Sequence, residues 1–263
     1  MTGRMLAAAA SLVLAGCSAT GGSSEATDTQ GVLVVRAGAV DVYAASSLSD
    51  VFTQIADDYM AEHPGIEIRL TFAGSSDLAA QINEGAPADV FASANEKQMT
   101  VAGDHIAGKS QLFASNTLTI AVPKGNPGGV TDFASLATPG LAVVVCAPEV
   151  PCGAATVKVE EDLGVHLSPV SELTNVTDVL GSVASGEADA GVVYVTDVIR
   201  ADSVEGIPFA GSEAATTRYP IAVMTTGDAA DAARGFVDYV LGPRGQAALG
   251  VAGFASADTT AGK

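Results

Sequence analysis

A strand that runs through a serine-rich turn into an amphipathic helix occurs twice in the first third of the chain, and this repeat constrains the fold more than any other feature. Residues 40–60 read VDVYAASSLSDVFTQIADDYM. In them Leu48, Val51, Phe52, Ile55, Ala56, Tyr59 and Met60 recur at helical spacing, which predicts a helix laying one face on a sheet. The turn ahead of it, Ala44-Ala45-Ser46-Ser47, ends at the helix N-terminus, where free backbone N–H groups and the positive end of the helix dipole collect beside two hydroxyls. Such a turn suits an anion. The alternative is structural: Ser47 serves as an N-cap, with Asp50 three residues on in capping-box spacing. The pattern then recurs. Ile66, Ile68, Leu70 and Phe72 alternate with polar residues as a strand, Ala73-Gly74-Ser75-Ser76-Asp77 forms the turn, and Leu78, Ala79 and Ile82 face inward from a short helix that Gly85 stops.

The alternation continues along the chain. Residues 88–92 (ADVFA) and 117–122 (TLTIAV) predict strands, with a helix over 95–103 between them. The breakers at 123–129 (PKGNPGG) mark a change of lobe. A second βα series follows, with an apolar strand over 141–146 and a helix after Cys152-Gly153. A further helix opens at Asn175-Val176, and a buried strand over 190–195 carries Tyr194 near its carboxyl end. A strand near 219–224 returns to the first lobe, and helices over 228–241 and 242–250 close the chain. Strands alternating with helices predict an α/β protein with mainly parallel sheets. Ligands in such sheets sit beyond the carboxyl ends of the strands. Donor-rich loops in both halves of the chain therefore predict two similar lobes with a cleft that closes on a small anion.

Charge narrows the partners. With 30 acidic against 12 basic residues the net charge is -18, which argues against nucleic acid and leaves an anion to be held by aimed dipoles against an unfavourable overall field. Residues 1–16 carry one arginine, Arg4, and an apolar run too short to span a bilayer, the shape of a signal peptide. Leu14-Ala15-Gly16-Cys17 resembles a bacterial lipobox, after which Cys17 becomes the lipidated N-terminus; an ordinary signal peptide with a chance cysteine is the alternative. The expected location is outside the cell membrane, held to its outer face by lipid alone, with residues 17–37 as a flexible tether. Cys146 and Cys152 then remain as an even pair in an oxidising compartment. A disulfide between them would contribute on the order of 2 kcal/mol, with two free buried thiols as the alternative. No metal site is expected, because His63, His105 and His166 lack ligand spacing to a cysteine.

Five stretches together resemble the periplasmic molybdate-binding proteins of ABC importers: Val42-Tyr43-Ala44-Ala45-Ser46-Ser47-Leu48, Phe72-Ala73-Gly74-Ser75-Ser76-Asp77-Leu78, Gly85-Ala86-Pro87-Ala88-Asp89-Val90-Phe91, Pro148-Glu149-Val150-Pro151-Cys152-Gly153 and Gly191-Val192-Val193-Tyr194. They stand in family order and spacing over residues 40–254. The resemblance implies a two-lobe type II periplasmic-binding-protein fold. It also implies a tetrahedral dianion, molybdate or the nearly isosteric tungstate, held in the interlobe cleft by neutral donors only. Ser47 and Ser75 would give hydroxyl and backbone N–H, Cys152 and Val176 backbone N–H, and Tyr194 its phenolic O–H. It implies no cofactor, no catalysis and an ABC permease as partner; a monomer is the default expectation.

The expected division is lobe I at 38–117 plus 221–257, lobe II at 118–220, and a tail at 258–263, with hinge crossings near 115–122 and 217–223. Two departures from the family pattern stand out: Gly74 where serine is frequent, and Cys152 in place of a small alanine. Three rivals remain. One is a receptor for sulfate or phosphate on the same fold, and another a structural lipoprotein without a ligand. The third is a serine hydrolase using Ser47, against which stand the absence of a G-x-S-x-G elbow and of a histidine in the donor loops.

Overall fold

The computed structural model describes residues 38–257. The expected signal segment 1–16, Cys17 and its lipid, the linker to residue 37 and the tail 258–263 lie outside the described residues. The chain first lays down β1 (Gly38–Ala45), α1 (Ser49–Glu62), β2 (Ile66–Ala73), α2 (Ser75–Asn83), β3 (Val90–Ala92), α3 (Glu96–Val101) and β4 (Gln111–Asn116). It then builds β5 (Leu118–Pro123), β6 (Val143–Cys146), α4 (Pro151–Leu163), β7 (Ser171–Leu173), α5 (Val176–Ala184), β8 (Ala190–Tyr194), α6 (Val195–Ile199) and β9 (Val204–Ile207). Last come β10 (Thr217–Val223), α7 (Ala230–Leu241) and α8 (Pro243–Val251).

Two five-stranded sheets result, in the orders β2-β1-β3-β10-β4 and β7-β6-β8-β5-β9. The orders correspond strand for strand. In each sheet the first three strands run parallel and the other two pairings are antiparallel. In the first sheet the parallel part is the βαβαβ series read from the sequence; in the second, β7 completes the same series. A parallel pairing requires a crossover such as a helix, and β5 and β10 are the strands that bring the chain over from the other sheet, so they add antiparallel.

Each sheet has its own core. On the first, α1 buries Val51, Phe52, Ile55, Ala56 and Tyr59, and the Tyr59 and Phe236 rings meet edge-on at 5.5 Å, joining α1 to α7. On the second the core is built largely of valine. There α5 lies so close to β8 that a Cβ on Gly191 would stand 2.8 Å from a methyl of Val179, so only glycine fits.

The return strand corrects one expectation. β10 pairs with β4 from Thr217 opposite Asn116, so the first sheet regains the chain at Thr217 and not at 221. Pro220 breaks the apolar run there. It is accommodated inside the sheet because the register shifts between Tyr219 and Pro220, a bulge where no ladder N–H is needed. The strands that the sequence did not announce, β4, β7 and β9, are all sheet edges with weak alternation.

The two passages between sheets run side by side. Thr117 alone links β4 to β5, and beside it Thr217 Oγ1 donates to Asn116 O at 3.3 Å. Asn116 Nδ2 in turn donates to Thr196 Oγ1 at 2.8 Å, and Val195 N–H to Thr117 O at 3.0 Å. The start of α6 is thereby tied to the crossing.

Candidate anion-binding site

Every expected site residue stands where a strand gives way to a helix. β1 leads into one 3-10 turn, Ser46–Leu48, before α1. Ser47 is buried, and its Oγ shares a hydrogen bond of 3.1 Å with Tyr219 Oη, in which either oxygen can donate. Ser47 is therefore not the helix cap. Leu48 occupies that position, and no side chain caps the helix there.

β2 leads into α2 through Gly74, an N-cap with ordinary extended dihedrals, φ -60° and ψ 139°. Ser75 opens the helix, 1% exposed, and its Oγ accepts from Ala94 N–H at 3.0 Å, which leaves the hydroxyl proton available to a ligand.

In the second half the donors are mostly backbone. β6 leads through a loop closed by the Cys146–Cys152 disulfide, with Cα atoms 5.7 Å apart, into α4. Pro151 takes the first helical position, where its missing N–H would have been unpaired in any case, and Cys152 follows. β7 leads into α5, where the Asn175 side chain accepts from Asp178 N–H at 2.9 Å and Val176 is the first residue of the helix. β8 ends at Tyr194, only 1% exposed.

Ser47, Ser75, Cys152, Val176 and Tyr194 line a single small cavity of about 10 Å³, with Gly74, Ser46 and small apolar residues completing the wall. The N–H groups of Ser75, Cys152 and Val176 belong to first helical turns, so they have no acceptor within their own helices and carry the positive end of three dipoles. No lining residue is charged.

The Tyr194 hydroxyl is buried and has no hydrogen-bond partner among the described residues; Thr217 and Tyr219 lie near enough to influence its ionisation without making a bond of proper geometry. Burial first, and then Tyr219, push this phenol well above its ordinary value, so it is present as a donor. A buried hydroxyl left unpaired costs about 1–3 kcal/mol. An oxyanion in the cavity would supply the missing acceptor.

Behind this neutral wall sits a charged pair. Asp197 is fully buried, accepts from Tyr194 N–H at 2.9 Å through Oδ2, and lies 3.1 Å from Arg200 through Oδ1. Burial pushes its carboxyl up to about 6, against the opposing pull of Arg200 and of the Tyr194 N–H. Arg200 also reaches over to the first half, donating from Nη1 to Ser49 Oγ at 3.0 Å and Asp50 Oδ1 at 3.3 Å. Gln98 Nε2 donates to Glu149 O at 2.7 Å, a second bond between the halves.

None of Tyr219, Asp197, Arg200 or Gln98 was singled out from the sequence. For Asp197 a signal existed, the Tyr194-x-x-Asp197 spacing of a helix start. For the others there was none, since Ser47 and Tyr219 are 172 positions apart.

A family model described as bacterial extracellular solute-binding protein matches residues 40–255. The chain is 43% identical over 247 residues to the molybdate-binding protein ModA of Mycobacterium tuberculosis H37Rv, a match covering 93% of this chain and 94% of the relative. Among solved structures it is similar to the periplasmic molybdate-binding protein of Azotobacter vinelandii, with TM-score 0.70, 22% identity and coverage of 82% of this chain and 98% of the other. It is equally similar in shape to the sulfate-binding protein SubI of M. tuberculosis H37Rv, with TM-score 0.70, 17% identity and coverage of 84% and 88%. At those structural identities the likeness establishes the two-lobe fold, and the choice of anion rests with the lining residues.

Proposed function

The chain belongs to the bacterial extracellular solute-binding proteins, and from that membership we propose that it captures molybdate, and tungstate with it, outside the cytoplasmic membrane and delivers the anion to an ABC permease. The observation that carries the reading is the convergence on one uncharged cavity of first-turn N–H groups from three helices, two serine hydroxyls and the unpaired Tyr194 phenol. The 43% identity to a protein named for molybdate binding supports it.

Ser47 and Ser75 act as hydroxyl and N–H donors, Cys152 and Val176 as N–H donors, and Tyr194 as the phenolic donor. About seven hydrogen bonds to a charged oxygen set, each worth roughly 1.5–3 kcal/mol, outweigh an association cost of about 4–15 kcal/mol and allow micromolar to nanomolar binding. A wall of donors alone also selects. It has no acceptor for the O–H of a protonated phosphate, and its fixed spacing favours one oxyanion radius, whereas a flexible lysine would attract many anions. The protein performs no catalysis in this reading. It is a monomer held outside the membrane by a lipid on Cys17, and its lobes close by bending at the paired crossings beside Asn116 and Thr217.

Calorimetric titration with molybdate, tungstate, sulfate and phosphate tests the proposal. Molybdate and tungstate should bind at least about 100-fold more tightly than sulfate, and at 100 times Kd should stabilise the fold by about 2.7 kcal/mol. The shape shared with SubI makes sulfate the competing ligand. Sulfate binding as tight as molybdate binding would replace the proposal with that one.

A further inference from the structure

Tyr219 is fully buried, and its ring is held by three others: Phe113 of β4 at 6.1 Å, Tyr194 of β8 at 6.1 Å, and Phe254, which follows α8, at 5.5 Å. It stands directly before the β10 bulge, a device by which strands re-aim a side chain beside a site. The hydroxyl is therefore a fixed point. Burial first, with the Asp197 carboxylate adding to it, pushes this phenol above its ordinary value against the opposing pull of Ser47, Asn116 and Tyr194, so the group keeps its proton and must place it. Among the described residues its hydrogen bond of proper geometry is the one shared with Ser47 Oγ at 3.1 Å.

Three hydroxyl protons meet here, those of Ser47, Tyr219 and Tyr194, and only one ordering places all of them once an oxyanion lies against Ser47 and Tyr194. If Ser47 donated to Tyr219, the oxyanion would lose Ser47 and the Tyr219 proton would be stranded. The amide oxygen of Asn116 already accepts from Thr117 N–H at 3.0 Å, and Asn116 Nδ2 is itself a donor, turned to Thr196 Oγ1 at 2.8 Å. If Tyr219 donates to Ser47, the Ser47 proton is turned to the oxyanion, and Tyr194 gives its own.

We propose that Tyr219 is a positioning residue of the anion site: its hydroxyl donates to Ser47 Oγ and so fixes Ser47 as a donor toward the bound oxyanion. This rests on the oxyanion-binding reading above and adds what keeps Ser47 from turning, since a free serine hydroxyl donates or accepts with equal ease. The two serines are then ordered alike. Ser75 Oγ accepts from Ala94 N–H, a group that can only donate, and Ser47 Oγ accepts from a phenol that has nowhere else to put its proton. An oxygen that accepts one hydrogen bond also donates more strongly, because bonds in a chain polarise one another.

The test is a double-mutant cycle of Tyr219→Phe and Ser47→Ala, titrated with molybdate by calorimetry. Tyr219→Phe keeps the ring and its three aromatic contacts and should raise the molybdate Kd about 10-fold. In a Ser47→Ala background the same change should move the Kd less than about twofold, because Tyr219 acts through Ser47. An equal loss in both backgrounds overturns the proposal, since the phenol would then shape the cavity without ordering a proton. An unchanged Kd in either single variant, with the unaltered protein binding molybdate tightly, also overturns it and leaves anion binding by the other donors standing. Neutron diffraction from heavy-water-exchanged crystals of the unaltered protein with molybdate reads the proton itself, whether or not the variants fold. The deuteron of Tyr219 Oη should lie toward Ser47 Oγ and that of Ser47 toward the oxyanion; the reverse order overturns the proposal. Failure of the unaltered protein to bind any oxyanion removes the underlying reading and this inference together.

Discussion

In the first half the segment after β1 is Ser46-Ser47 and the helix after β2 opens at Ser75; in the second half the corresponding helices open at Pro151-Cys152 and at Val176. Strand order and parallel pairing correspond between the sheets. What differs is the chemistry at the strand ends. The first half offers side-chain hydroxyls oriented by neighbours, Ser47 by Tyr219 and Ser75 by Ala94 N–H. The second offers backbone N–H groups stiffened by a disulfide and a cap, with Tyr194 as its one side-chain donor. Helix starts bind anions whatever their side chains, so topology supplies half of such a site and the serines and the tyrosine tune the rest. The second half should therefore tolerate side-chain changes that the first cannot.

Ser75→Ala presses hardest on this contrast. It removes a proposed ligand donor and also the buried acceptor of Ala94 N–H, so affinity for molybdate should fall about 100-fold or more in calorimetry. A loss below about threefold would mean that the hydroxyls are bystanders.

Asp197 gives the next effect, because only the second half is seen to brace its site residue with a fully buried carboxylate. Its folded value of about 6 lies above the roughly 3.9 of an exposed aspartate, so between those pH values the folded chain holds a proton that the unfolded chain has lost. The contribution of this group to stability is thus fully present below about pH 4 and is lost as the pH rises through about 6. In Asp197→Asn, which does not ionise, stability should fall less between pH 4.5 and pH 7 than in the unaltered protein, by about 2 kcal/mol in denaturant titrations. Parallel curves would show that Asp197 is not the titrating group.

Tyr194→Phe separates binding from folding. It should weaken molybdate binding about 10- to 100-fold, while the ligand-free protein is unchanged or more stable by up to about 1 kcal/mol, since a buried hydroxyl without a partner disappears. A clear loss of ligand-free stability would mean that the phenol is already satisfied within the protein.

The smallest binding effect belongs to Val176→Ala. Its side chain is core and its N–H is retained, so the Kd should move less than about threefold while stability falls by about 1–2 kcal/mol. A tenfold loss of affinity would show that this helix start works through its side chain after all.

Much of the architecture could be read from spacing. α1, α2 and α5 carry one-faced apolar patterns, β6 and β8 are continuous buried runs and β1 alternates towards a buried end, so their order alone predicts paired α/β lobes. Three of the edge strands, β4, β7 and β9, were not legible, because strands such as Ser171–Leu173 bury little and carry no period, whereas the edge strand β2 was betrayed by its alternation. The entry of β10 at Thr217 was hidden by Pro220, whose bulge exists only because its neighbours in the sheet permit it. Of the site, Ser47, Ser75, Cys152, Val176 and Tyr194 were carried by local motifs and the family resemblance. Tyr219, Arg200 and Gln98 were not, since each acts on a group far away in the chain.

By itself the amino-acid sequence determined where strands stop and helices start, which turns hold hydroxyls or small residues, and which cysteines could pair, because these follow from local propensity and periodicity. Only the tertiary structure decided that five such turns share one cavity, that Tyr194 keeps an unpaired hydroxyl there, and that Gly74 meets a carbonyl of the opposite half. Distances across a cleft depend on how two separately packed cores are joined, and no run of neighbouring residues encodes that.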